Sequence, residues 1–389
     1  HIVLSIPGSL TFLFISMGLI VIGTGLLKPN VSSIVGDLYH ETDRRRDAGF
    51  SIFYMGINLG AFISPLIVGQ VQADYGFHWG FALAAVGMFI GLVVFIVTKK
   101  GNLGLAGSYV PNPLTPSERK NAIKFTTIAV LLIGGLLAVL IPRGLFTINT
   151  FIGLVGVFGI TIPTIYFIVM YRSPKTTEIE RSRILAYIPL FIASVMFWAI
   201  QEQGATILAN YADQRTNLNF LGLELKAAWF QSLNPLFIIL LAPVFAWLWV
   251  RLGDREPSIP VKFAFGILFA GLSFLVILLP AYFGGPDTLV NPLWLVLSYF
   301  IVVLGELSLS PVGLSATTKL APAAFSAQTM SLWFLSNAAA QGINAQLVRF
   351  YSPENEMIYF GIIGGAAIVL SLILFALAPV IKRYMRGIH

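Results

Sequence analysis

Residues 79–98 read WGFALAAVGMFIGLVVFIVT, a run of 20 residues without a charged side chain, and Lys99 and Lys100 follow it directly. A helix of about 20 apolar residues is long enough to cross the hydrocarbon core of a bilayer. The run is continuously apolar and does not alternate with polar residues, which favours a helix over a barrel strand. This stretch therefore predicts a membrane-spanning helix.

Similar apolar runs fill most of the chain. Hydrophobic residues make up 57% of it and charged residues only 11%, whereas soluble domains carry about 25% charged residues. We therefore predict an all-α, polytopic membrane protein. The predicted spans are eleven in number and lie near residues 6–36, 48–73, 79–98, 122–142, 146–171, 184–212, 227–250, 260–284, 290–318, 325–348 and 357–381.

The basic residues indicate how the chain is oriented in the membrane. Most Lys and Arg residues lie in alternate loops, beginning with 37–47, and in the C-terminal tail; the opposite loops hold only Arg143, Arg215, Lys226 and Arg349. Positively charged loops are usually cytoplasmic, so we expect a cytoplasmic C-terminus and a first residue outside. The net charge of +7 is then explained by the basic cytoplasmic loops, and we expect no nucleic-acid partner. An external start without a signal peptide predicts that preceding helices are missing.

Two polar linkers divide the chain. Residues 99–121 are rich in Gly and Pro, and 172–183 are basic, both of which are typical of connections between bundles. The apolar runs 122–142 and 146–171 between these linkers contain almost no polar chemistry. We predict that they form a lipid-facing hairpin that is peripheral to transport. The predicted domains are the remainder of an N-terminal bundle, linkers with an inserted hairpin, and a C-terminal six-helix bundle, at 1–98, 99–183 and 184–389.

Three ionisable residues interrupt the apolar runs: Lys28, Glu202 and Glu306. A charge at membrane depth costs about 2.5–3.5 kcal/mol on insertion scales and usually marks a pathway or a pair. One lysine cannot neutralise two glutamates, so one carboxyl group is left over, as a proton relay requires. Two alternatives stay open: Lys28 could extend to the cytoplasmic surface, and Glu202 could be a protonated structural group.

Amide side chains also lie at membrane depth: Asn58, Gln201, Gln203 and Asn234. Each could simply connect helices by hydrogen bonds, and we favour this structural interpretation for Gln203. The pair Asn234–Pro235 is predicted to lie in mid-span, where proline permits a kink. Kinked helices often line transporter cavities.

The composition disfavours an enzyme. The chain has no cysteine, and none of its four histidines lies in an apolar run. We find no nucleophile–base pair and no metal-ligand cluster, and therefore predict that the protein is not an enzyme and has no metal or organic cofactor. A channel would repeat polar rings, and no such repeat is present.

Three segments resemble one family. Residues 50–62, FSIFYMGINLGAF, resemble the fifth-helix signature of the proton-dependent oligopeptide transporter (POT) family of the major facilitator superfamily. Residues 23–30, GTGLLKPN, resemble its fourth helix, and residues 197–204, FWAIQEQG, its seventh. The resemblance implies a two-bundle major facilitator fold of the bacterial type with two extra helices. The family's Glu-x-x-Glu-Arg motif has no counterpart here, which implies that the first three helices are absent.

The resemblance implies a proton-coupled symporter that imports di- and tripeptides by alternating access across the cell membrane. Lys28 would help to hold the peptide carboxylate and take part in proton coupling. Glu306 would receive the peptide amino group, or pair with Lys28 to close the cytoplasmic side. Asn58 and Asn234 would bind the peptide backbone or its amino end.

The remaining implied roles concern the coupling site and the side-chain pockets. Glu202, with Gln201, would be the titrating site of the second bundle. The residues implied to line side-chain pockets are Tyr54, Trp198, Ser310 and Trp333. We expect Lys28, Asn58, Glu202, Asn234 and Glu306 to face one cavity between the bundles. Protons would be the coupling ion, lipid the surrounding partner, and the protein a monomer.

Another major facilitator carrier, of nitrate, a drug or a sugar, is the alternative. The signature around Asn58 disfavours a sugar or drug carrier. A Lys–Glu combination with amides suits a zwitterion better than an anion such as nitrate.

Overall fold

The computed structural model is almost entirely helical. It describes residues 1–6, 10–40, 43, 45–110, 113–140, 142–145, 147–220, 222–225, 227–284 and 289–388. The predicted loop residue Lys226 lies outside this range, so the structure does not bear on its position.

Twelve α-helices are described, and a short antiparallel strand pair lies between the seventh and the eighth. The bounds are α1 Leu10–Asp37, α2 Arg45–Tyr75, α3 Phe77–Asn102, α4 Pro116–Leu140, α5 Ile148–Arg172, α6 Glu178–Gln201, α7 Ile207–Gln214, β1 Asn219–Phe220, β2 Leu223–Glu224, α8 Leu233–Leu252, α9 Ile259–Gly284, α10 Pro292–Leu320, α11 Ser326–Leu347 and α12 Glu356–Tyr384.

The long helices correspond to the predicted spans. Among the described residues, eleven helices have 20 residues or more. Nine helical stretches of the described chain are long and apolar enough to cross a membrane; α2 and α11 are not among them. The eleven long helices agree with the eleven predicted spans, although the described residues of α2 and α11 do not reach this level of hydropathy. In α11 the reason is its polar content, which includes Asn337, Gln341 and Asn344.

Helices α9, α10 and α12 pack through glycines. A Cβ atom on Gly271 of α9 would lie 2.8 Å from the Gly364 carbonyl oxygen of α12. A Cβ atom on Gly305 of α10 would lie 2.6 Å from the Gly266 carbonyl oxygen of α9. Small residues let helix backbones approach closely, which is a main source of helix association in membranes. These contacts make the C-terminal helices a tightly joined unit.

The two helices of the inserted hairpin differ in how they pack. The described side chains of α4 are almost all exposed, whereas α5 packs against α11. A Cβ atom on Gly342 of α11 would lie 2.6 Å from the Gly156 Cα atom of α5. The predicted lipid-facing hairpin therefore also packs on α11, through one face of α5. A lack of polar residues does not separate a lipid-facing helix from one packed through glycines.

Helices α1 and α2 contact the C-terminal helices, with α2 against α8 and α10, and α1 against α11. At the start of α2, the Asp47 carboxylate lies 3.2 Å from the Lys262 ammonium nitrogen and 3.0 Å from that of Lys319. The Ser315 hydroxyl also donates to it. We call Asp47, Lys262, Ser315 and Lys319 the Asp47 cluster. All four side chains are buried, so the cluster joins α2 to α9 and α10 out of contact with water.

The predicted span 184–212 is not one helix. Helix α6 ends at Gln201, a 3-10 turn runs through Glu202–Ala205, and α7 begins at Ile207. The predicted kink at Asn234–Pro235 is also corrected. These residues lie in the first turn of α8, which starts at Leu233. Proline is tolerated there because the first amide groups of a helix have no partner within it.

Candidate functional site

A cavity of about 900 Å³ lies between helices α1, α2, α5, α6, α10 and α11. Ligand pockets of small molecules usually measure about 300–1,000 Å³. Predicted site residues on its wall are Lys28, Tyr54, Trp198, Glu202, Ser310 and Trp333. Two residues of the inserted hairpin, Ile162 and Tyr166, also line it. The hairpin thus contributes to the cavity but does not form most of its wall.

Lys28 lies on α1, and its side chain is exposed on the cavity wall. It forms no hydrogen bond or ion pair with another residue in the described part of the chain. In particular, the structure does not pair Lys28 with Glu306. An ammonium group that faces a cavity without an internal partner is available to an anionic group of a ligand.

Glu306 lies in the middle of α10 and is 2% exposed. Three neutral donors satisfy its carboxylate. Gln201 Nε2 donates to it at 2.8 Å, Asn234 Nδ2 donates at 2.9 Å, and the Tyr54 hydroxyl donates as well. Since Tyr54 belongs to α2 and Glu306 to α10, this last hydrogen bond connects these two helices. The arrangement stabilises a buried carboxylate by hydrogen bonds instead of an internal cation.

A second cavity of about 260 Å³ adjoins the first. Its wall includes Gln201, Asn234 and Glu306, which do not line the larger cavity, and it shares Trp198 and Glu202 with it. The predicted site residues are therefore divided over two adjacent cavities that meet at Trp198 and Glu202.

Asn58 lines neither cavity. Its side chain is 8% exposed, and its amide donates at 2.9 Å to the Tyr54 carbonyl oxygen on the same helix. The expectation that Asn58 faces the cavity is thus corrected. An asparagine within an apolar helix can satisfy its amide on the preceding turn instead of on a ligand.

Glu202 is the first residue of the 3-10 turn between α6 and α7. Its two carboxylate oxygens accept one hydrogen bond each, from Asn337 Nδ2 and Gln341 Nε2, both at 2.6 Å. These two amides lie four residues apart on α11 and therefore on one face of that helix. Neither amide was predicted as a site residue; their i, i+4 spacing is visible in the sequence of α11 but is one of several polar pairs in that helix.

Gln203, the next residue, points the other way. It is 1% exposed, donates at 2.8 Å to the Ala199 carbonyl oxygen, and accepts a hydrogen bond at 2.8 Å from the Tyr359 hydroxyl. The structural interpretation of Gln203 is confirmed.

Comparisons with known proteins agree with this architecture. A family model described as the POT family matches residues 1–363. A solved structure of a peptide transporter POT in complex with sulfate is 72% identical, with a TM-score of 0.83, over 100% of this chain and 78% of that chain. A POT family transporter solved with a thioalcohol-conjugated peptide is 46% identical, with a TM-score of 0.84, over 98% and 79% of the two chains.

A curated relative supports the same assignment. The di-/tripeptide transporter of Lactococcus lactis subsp. cremoris is 42% identical over 395 residues, which cover 100% of this chain and 79% of the relative. The match to the family model covers more than half of the chain, and the fold and the membrane location follow from it. The chain is a membrane protein of the POT family of transporters.

Proposed function

We propose that this protein is a proton-coupled symporter that imports di- and tripeptides by alternating access. The observation that carries the proposal is the pair of cavities, which presents an unpaired Lys28 ammonium on one wall and the Glu202 and Glu306 carboxylates on another. A peptide is a zwitterion, and its two termini need an ammonium donor and a carboxylate acceptor. The names of the relatives, a di-/tripeptide transporter and a peptide-bound POT transporter, support the same substrate class.

In this proposal Lys28 holds the peptide carboxylate, and Glu306 receives the amino end with Asn234. Aromatic walls at Tyr54, Trp198 and Trp333 accept varied side chains, because apolar surface and water tolerate many shapes. Ser310 lies on the same wall. Recognition of the termini suits a promiscuous carrier, since all small peptides share these groups.

Coupling, in this proposal, uses the proton alone, without a metal or an organic cofactor. Glu202, adjacent to Gln201 at the junction of the two cavities, is the proposed titrating group. We further propose that the C-terminus is cytoplasmic, on the distribution of Lys and Arg, and that the carrier works as a monomer. The relatives described above are transporters, which supports a carrier over an enzyme.

Uptake of labelled dialanine into proteoliposomes tests the proposal. We expect accumulation with an inward proton gradient and only equilibration without one. Nitrate, a sugar and a cationic drug serve as competitors. If one of them, and not dialanine, is accumulated, the carrier has another substrate and the proposal is overturned.

Replacing Lys28 by Ala tests the role of the free ammonium group. Hydrogen bonds to charged groups contribute about 1.5–3 kcal/mol, so we expect the apparent affinity for dialanine to fall roughly 10- to 150-fold. Proton-driven uptake should be lost with it. Lys100→Ala, a change at an exposed lysine of α3, is the matched control and should transport normally. Undiminished uptake by Lys28→Ala would mean that Lys28 serves only as a surface anchor.

A further inference from the structure

The turn at Glu202–Ala205 is held by side chains from outside its own helix. The Gly204 carbonyl oxygen accepts a hydrogen bond at 2.6 Å from Gln231 Nε2 and another at 3.3 Å from the Tyr299 hydroxyl. Gln231 Nε2 also lies 3.3 Å from the Tyr299 hydroxyl oxygen. A carbonyl where a helix is interrupted at membrane depth needs a partner, because no water replaces the missing backbone donor.

These two donors come from separate elements. Gln231 lies in the 3-10 segment Ala227–Ser232 that precedes α8, and Tyr299 lies in α10. Tyr299 is 3% exposed, so its hydroxyl has few alternative partners. Both residues line the smaller cavity together with Glu202 and Glu306. The turn is thus held from the side of the cavity in which the carboxylates lie.

The opposite side of the turn is fixed as well. The Gln203 side chain donates from Nε2 to Asn344 Oδ1 of α11 at 3.2 Å. Its Oε1 atom accepts a hydrogen bond from the Tyr359 hydroxyl of α12. With Gln203 anchored behind it and Gly204 held in front, the backbone that carries Glu202 has a defined orientation. Its carboxylate can then reach both α11 amides at once, which requires side-chain placement to within a few tenths of an ångström.

We propose that Tyr299 and Gln231 are positioning residues for the coupling carboxylate. By holding the Gly204 carbonyl they fix the turn, and the turn places Glu202 at the junction of the two cavities. This inference rests on the proposed function, in which Glu202 exchanges the transported proton. Neither residue touches the Glu202 carboxylate in the structure, and neither need bind the peptide.

Tyr299→Phe tests the inference because it removes only the hydroxyl group. We expect gradient-driven accumulation of dialanine to fall about 5-fold or more, as typical coupling energies predict. The pH profile of uptake should shift, while counterflow exchange continues. The matched control is Tyr187→Phe. Tyr187 is a buried tyrosine of α6 whose hydroxyl bonds Thr317 at 2.8 Å, away from the turn, and this variant should behave as wild type.

A second variant keeps the inference testable if Tyr299→Phe does not fold. Gln231→Met keeps the side-chain length but removes the amide donor, and it should shift the pH profile in the same direction as Tyr299→Phe. Wild-type pH profiles in both variants, or equal changes in the Tyr187→Phe control, would overturn the inference. So would failure of both variants to assemble while Tyr187→Phe assembles, since the role would then be structural. Wild-type protein in the same liposomes is measured in parallel. If the wild type does not accumulate dialanine, the proposed function itself fails; if it does, the variants test the positioning role alone.

Discussion

A Glu202→Gln variant should exchange peptide across a membrane but should not accumulate it against a gradient. The Glu202 carboxylate accepts two hydrogen bonds from amides of α11 and has no described cationic partner. Glutamine has the same shape and resembles the neutral acid, so the turn and the cavities should persist. It cannot bind or release a proton, so access changes no longer depend on the proton gradient. The internal-to-external ratio of peptide should therefore fall to about 1.

Counterflow and gradient-driven uptake in one liposome preparation measure the two properties separately. Glu178→Gln is the matched control, because Glu178 is an exposed residue in the first turn of α6, the helix that leads to Glu202. This control should keep both activities. Accumulation by Glu202→Gln at the wild-type level would exclude Glu202 as the coupling group. Glu306 would then become the leading candidate.

The second large effect is expected from Asp47→Asn. This change removes the only negative charge of the Asp47 cluster and leaves two buried ammonium groups. Loss of one partner from a buried ion pair costs about 3–5 kcal/mol, because the remaining charge is uncompensated. Lys262 keeps a contact with Glu256, whereas Lys319 keeps no other carboxylate among the described residues. We therefore expect a clear drop in the thermal unfolding midpoint of the purified protein.

A compensating change identifies the cause of that drop. Lys319→Met in the Asp47→Asn background removes the uncompensated charge and should recover part of the lost stability. Asp43→Asn is the control, since Asp43 and Arg45 form an exposed ion pair at 3.0 Å, and exposed pairs contribute little. The idea of a buried junction fails if Asp47→Asn unfolds at the wild-type midpoint, or if the double variant is less stable than Asp47→Asn.

The sequence predicted the long helices well because hydrophobic runs of span length have few alternatives. It did not predict the break after Gln201. The residues of the turn, from Glu202 to Ala205, carry no proline, and an apolar run continues on either side. The break depends on partners far along the chain, such as Gln231 and Tyr299. The sequence of the 184–212 segment alone does not reveal them.

Charges were harder to interpret than apolar runs. Lys262 and Lys319 look like two further basic residues at span ends, yet the two residues are only 1% and 7% exposed. Their common partner Asp47 is more than 200 residues away in the chain. The site was predicted in part. The ionisable residues Glu202 and Glu306 are at the cavities, but Asn58 bonds its own helix and the amides of α11 were missed.

The hydrogen bonds to the Glu306 carboxylate bear on the rate of ligand release. Tyr54, Gln201 and Asn234 already donate three hydrogen bonds to it before any ligand arrives. A cationic ligand group that reaches this buried carboxylate competes with donors that already satisfy most of it, so the net gain is smaller than for an unsatisfied carboxylate. In the proposed function, we expect this competition to keep the binding energy modest and to help the ligand to leave. A carrier with such an internal competitor gives up tight binding and in return releases its cargo rapidly, which favours a high rate of turnover.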